Sequence, residues 1–89
     1  MANSSKCRQW TLAEAVRLGN KRHLDWSKVD ARQLARGMTV EAEHGRCDPR
    51  TNVTGDDPLV TMKIALAHLY EFPDYYTRLE KMEREGKPK

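Results

Sequence analysis

Residues 57–76 constrain the fold more than any other part of the chain. Pro58-Leu59-Val60-Thr61-Met62-Lys63-Ile64-Ala65-Leu66-Ala67-His68-Leu69-Tyr70 is a largely apolar run, closed by Glu71-Phe72-Pro73 and followed by Asp74-Tyr75-Tyr76. It reads as a core helix, a proline break and the start of another helix. Asp57 is placed to cap the first N–H groups, and Pro58 fits the first helical position, where a missing N–H costs nothing. Pro73 disfavours helical geometry in the residue before it and so ends or kinks the helix. On a 100° wheel centred on Ile64, the apolar face carries Val60, Ala65, Ala67 and Phe72, and the ionisable His68 and Glu71 fall on that same face.

Two further helices precede it. Thr11-Leu12-Ala13-Glu14 is a capping box, with Leu12, Ala15, Val16 and Leu18 as the apolar side and Gly19 as the expected end. So short a helix must dock on the rest, with Trp10 or Trp26 over the joint. Leu24, Trp26 and Val29 anchor the connection, and Asp30 with Gln33 is a second capping signal. Gly37 leaves helix 2 two courses, because glycine inside a helix costs about 1 kcal/mol against alanine and is also a natural terminator. It either runs through or breaks there and restarts at Thr39. Gly45 ends it, and residues 46–56 read as a long, mobile loop. Helix 4 runs from about Pro73 to Arg84, with Tyr75, Leu79 and Met82 on its apolar stripe and Glu80 paired with Arg84. The expected architecture is all-α: a small bundle of about four short helices with a long loop between helices 2 and 3. Residues 1–9 and 85–89 are expected to be disordered tails around one domain at 10–84.

An 89-residue chain is near the lower limit for a self-sufficient core, and an apolar content of 38% leaves little surplus for a deep substrate pocket. A non-enzymatic role follows as the expectation. Cys7 and Cys47 form no C-x-x-C pair and the first eight residues hold no signal-peptide apolar core, so the chain is read as cytoplasmic with both thiols reduced. No apolar run is long enough to cross a membrane. Charge is uneven: residues 1–37 carry eight Lys/Arg against three Asp/Glu, residues 38–74 three against seven, and residues 75–89 five against three. The basic N-terminal third could approach phosphates, but Arg17, Lys21, Arg22, Lys28, Arg32 and Arg36 are spread along the chain instead of clustered.

The chemistry that stands out is Glu41-x-x-His44 on one segment and His68-x-x-Glu71 on another. Carboxylate and imidazole at i, i+3 can ligate zinc, manganese or iron, and Glu-x-x-His recurs on inward faces of di-iron bundles, which need further carboxylates. The relative direction of helices 2 and 3 discriminates. Antiparallel packing sets His44 against His68 and Glu41 against Glu71, and two stacked carboxylates favour a metal or a shared proton. Parallel packing sets Glu41 against His68 and His44 against Glu71, two ion pairs that need no ligand. A structural network, a metal site and a ligand site therefore all remain readings of these four residues. Tyr76, Arg32 and Arg36 are the candidate interaction surface, with Tyr75 assigned to the core.

The pieces Gly37-Met38-Thr39-Val40-Glu41-Ala42-Glu43-His44-Gly45 and Ile64-Ala65-Leu66-Ala67-His68-Leu69-Tyr70-Glu71-Phe72-Pro73-Asp74-Tyr75-Tyr76 resemble the signature of a family of small bacterial and phage proteins, a domain of unknown function. The resemblance covers about residues 26–82 and implies a helical bundle but no activity. Ala67 departs from it, standing where many members carry an acidic residue. The chain is thus read as a small cytoplasmic interaction module, without cofactor, that binds a protein partner through its surface and holds a buried Glu/His network. The alternatives are a metal-binding protein using Glu41, His44, His68 and Glu71, and a nucleic-acid-associated factor using the basic N-terminal third.

Overall fold

The computed structural model describes residues 7–86; residues 1–6 and 87–89, and with them most of both expected tails, lie outside the described residues. Four helices follow one another: α1 Leu12–Lys21, α2 Ala31–Glu41, α3 Pro58–Glu71 and α4 Tyr75–Gly86. Two short 3₁₀ turns, Ala42–His44 and Pro49–Thr51, lie between α2 and α3. The fold is all-α, and α2 is its central helix, packed on α1, α3 and α4.

Local chemistry explains where each helix starts. The Thr11 hydroxyl accepts from the Glu14 N–H while the Glu14 carboxylate accepts from the Thr11 N–H, completing the capping box. Asp30 accepts from the N–H groups of Arg32 and Gln33, and Asp57 from those of Leu59 and Val60, so both expected caps form. Gly19 does not end α1, which continues to Lys21. Its role is close approach: a Cβ at Gly19 would collide with the Trp26 ring. Trp26 is fixed there by its indole N–H, which donates to Asn20 Oδ1 at 2.8 Å. Trp10 is held elsewhere, its backbone N–H donating to Thr39 Oγ1 at 2.8 Å near the end of α2.

The buried face of α3 consists of Thr61, Met62, Ala65, Leu66 and Leu69. That face is turned by about 120° from the one centred on Ile64. Val60 is 37% exposed, Phe72 49%, and Ala67 and Glu71 also face solvent. The reason lies in α3 itself: it is apolar nearly all round, so periodicity has no direction to report. On α4, which begins at Tyr75 instead of Pro73, Met82 is 57% exposed, and Glu80 pairs with Arg36 of α2 instead of Arg84.

The connection between α2 and α3 is bonded along its length. The His44 carbonyl accepts from Val53 N at 2.6 Å and Thr54 N at 3.2 Å, and Asp56 Oδ1 accepts from Arg46 N at 3.0 Å. Thr54 is buried. The N-terminal residues are engaged as well. Cys7 is joined to Cys47 by a disulfide across 40 residues, and the Arg8 guanidinium lies 3.6 Å from the centroid of the Trp10 ring. The expectation of two reduced thiols is corrected here. Sequence spacing did not suggest the pair, because folding α1 back along α2 is what brings residue 7 to residue 47. Closing a loop of this length removes unfolded-state entropy worth about 4 kcal/mol. Cys7→Ser is therefore expected to lower the free energy of unfolding by about that amount in urea titrations under oxidising conditions, and to have no effect once the wild type is reduced.

Candidate functional site

The ionisable residues singled out by spacing do not all meet. Glu41, at the last position of α2, is 7% exposed and stands close to His68 of α3, with 3.7 Å between Glu41 Oε2 and His68 Nε2. This is the pair expected from parallel packing. Its companion pair does not form among the described residues, for His44 and Glu71 are both exposed. The α-helix tightens to a 3₁₀ turn at Ala42, so the helical wheel that placed His44 beside Glu41 ceases to apply. His44 instead lies near Asp48, whose carboxyl is held below its usual range chiefly by hydrogen bonds from Arg50, with a smaller contribution from His44.

A residue assigned to the surface completes the cluster. Tyr76 is 1% exposed, and its hydroxyl donates to Glu41 Oε2 at 2.8 Å. Tyr75, assigned to the core, is only half-buried and stacks on the His68 ring with centroids 4.3 Å apart and planes 8° from parallel. Both tyrosines therefore pack inward, Tyr75 against the margin of the core and Tyr76 onto α2. Two features of α2 admit it. A Cβ at Gly37 would collide with the Tyr76 ring, so the helix runs unbroken through Gly37 and glycine there makes room for an aromatic ring. Gln33, expected to close a capping box on its own helix, reaches α4: its Oε1 accepts from Tyr76 N at 3.2 Å and its Nε2 donates to Thr77 Oγ1 at 2.7 Å. Gln33 thereby satisfies an N–H that the first turn of α4 leaves open. The signal available beforehand was the glycine itself, a helical position without a side chain opposite a paired tyrosine.

Burial first, then the Glu41 acceptor and its charge, push the Tyr76 phenol far above its ordinary value, so it stays a hydrogen-bond donor. No buried side-chain nitrogen or oxygen among the described residues lacks a partner. Nor do any three His, Cys, Asp or Glu side chains gather there as a metal ion would require. The four-residue metal set of Glu41, His44, His68 and Glu71 is thus not assembled; the cluster offers one carboxylate and one imidazole, and the carboxylate already accepts from Tyr76. Of the other proposed surface residues, Arg36 is engaged with Glu80 and Thr77 of α4. Arg32 is exposed at a shallow recess beside Trp26, Leu12 and Val16.

Fold and cluster together define a small four-helix protein whose last two helices are clamped to the central one by a carboxylate, an imidazole and a phenol. The chain belongs to the family described as Protein of unknown function (DUF5661), which it matches over residues 15–85. No curated protein and no solved structure matches it.

Tyr76→Phe keeps the ring and removes the donor, leaving a nearly buried carboxylate short of a partner. It is expected to cost about 2 kcal/mol in chemical denaturation. The same variant tests a pH dependence. Because the folded-state value of Tyr76 is raised above 10.0, the unfolded chain loses the phenolic proton first. Its contribution is fully present below pH 10.0 and is lost as pH rises beyond it, and Tyr76→Phe should flatten that alkaline decline in thermal melts.

Proposed function

We propose that the protein is a non-enzymatic interaction module that docks a protein partner on the outward face of α3, with the Glu41–Tyr76–His68 network holding the scaffold behind it. The observation that carries this reading is the exposure of apolar surface on the most apolar helix of the chain: Val60 at 37% and Tyr70 at 65%, with Ala67 between them. Helices apolar on all sides are usually enclosed on all sides, and here one side is left to solvent. A structural role for the network is supported by the Tyr76 bond to Glu41 and by the absence of unpartnered buried polar atoms among the described residues. Tyr76 and Arg36 are taken up in packing within the molecule, so the proposed contact surface moves from them to α3. A bacterial or phage origin, as the family resemblance implies, is part of the same proposal.

The compartment rests on the redox state of one bond. Helices that could cross a membrane are absent among the described residues. A cytoplasmic address fits reduced thiols, whereas the Cys7–Cys47 disulfide belongs to an oxidising compartment. Val60→Glu with Tyr70→Glu should abolish capture of the partner from the native host while leaving the thermal melt within a few degrees of wild type. Equal capture by the variant would sink the proposal.

A second reading, nucleic-acid association, is favoured by one specific grouping. Arg8, Arg17 and Lys21 line a single recess of about 220 Å³ together with Trp10, Glu14 and Pro58. Cations beside an aromatic ring suit a phosphate chain and its bases. On this reading, retention on single-stranded nucleic acid falls steeply between roughly 50 and 200 mM salt, and Arg17→Glu with Lys21→Glu removes it.

A further inference from the structure

The outward face of α3 carries a charge pattern that an apolar docking surface does not need. Taking Ala67 as the centre of that face, Val60, Lys63, Ile64, Tyr70 and Glu71 all project within about 60° of it, while the buried residues of α3 lie on the far side. Lys63 stands four residues before Ala67 and Glu71 four residues after it, each about 6 Å away along the axis from the 1.5 Å rise per residue. Both are exposed, and neither forms an ion pair among the described residues.

This arrangement is self-complementary for one geometry only. A two-fold axis beside Ala67, perpendicular to the helix, sets α3 against a second α3 running the opposite way and brings residue 63 of each to the level of residue 71 of the other. Lys63 then meets Glu71 of the second copy at both ends of the seam, and an isologous contact makes each pair twice. Ile64 and Tyr70 lie level with one another across the same axis. Ala67, at the centre, is small enough for the two backbones to approach closely. The parallel arrangement instead levels Lys63 with Lys63 and Glu71 with Glu71, and like charges across an interface are strongly unfavourable. We infer that the partner of the α3 face is a second copy of this chain, docked antiparallel about Ala67 and held in register by Lys63 and Glu71. This rests on the reading of α3 as the docking face and names its occupant.

The register gives the inference its test. Sedimentation equilibrium of the full chain, from nanomolar to high-micromolar concentration, is expected to show a reversible dimer. Lys63→Glu alone and Glu71→Lys alone each set like charges level at both ends, and should each weaken the dimer by about tenfold or more. The double variant Lys63→Glu/Glu71→Lys restores opposite charges and should restore the dimer. Such a rescue cannot arise from misfolding of either single variant. A wild type that stays monomeric throughout, or a double variant no tighter than the singles, overturns the inference. A photocrosslinking residue at position 70, activated in host cells, separates this from the broader reading. An adduct of twice the chain mass supports the second copy. An adduct of another mass overturns it and leaves α3 as a docking face for a different protein. Absence of any adduct above that of the same probe at exposed position 81 overturns both.

Discussion

Tyr76 can reach the backbone of α2 only because residue 37 has no side chain, and the rest of the packing depends on that close approach. With the ring seated at Gly37, its hydroxyl meets Glu41 one turn further along, and the first turn of α4 comes within reach of Gln33. Arg36, on the neighbouring side of α2, then meets Thr77 and Glu80. One helix thus places Gln33, Arg36, Gly37 and Glu41, polar or small positions along one side, against another. A larger side chain at 37 would have to displace a fully buried aromatic ring, which a close-packed interior resists. The network is better described as a fastening between helices than as a cavity prepared for a reagent: its carboxylate already accepts from Tyr76, and the two recesses beside Trp10 and Trp26 are lined by other residues.

How much of this was legible in the sequence depends on which physical signal was asked. Capping chemistry is local and unambiguous, so Thr11, Asp30 and Asp57 mark helix starts that the structure reproduces. Glycine carries two opposed meanings. Gly45 does terminate a helix, but Gly19 and Gly37 sit inside helices for the space they leave to Trp26 and Tyr76, and no local pattern separates the two uses. The orientation of α3 was illegible for a different reason. A helix that is apolar nearly all round has no preferred inward direction, and only its neighbours decide which side is covered. Glu41 and His68 could be singled out because each lies on a regular helix, but only the packing of α2 on α3 chose them as a pair. His44 was misjudged because the winding changes at Ala42, and Glu71 because the covered side of α3, with Met62, Ala65 and Leu69, is turned away from it.

The division of labour across α3 follows from the same ambiguity. Its inner side, with Met62, Ala65 and Leu69, belongs to the core, while its outer side carries Ala67 and Tyr70 between the charges of Lys63 and Glu71, with Val60 ahead of them. A chain of this size has few ways to make a large internal core, and association is one of the usual remedies. An outer face that is apolar at its centre and charged above and below is consistent with that need.

The bond between Cys7 and Cys47 has one more implication. It closes a covalent ring that contains all of α1 and α2, whereas α3 and α4 hang from the ring by a single strand of chain. A protease that nicks the exposed turn at His23 would leave the oxidised molecule covalently in one piece until it is reduced, while a nick near Pro73 would leave α4 held by packing alone. Topologically the protein is a closed loop with a tail, and the tail bears Tyr76, the residue that locks it back onto the loop.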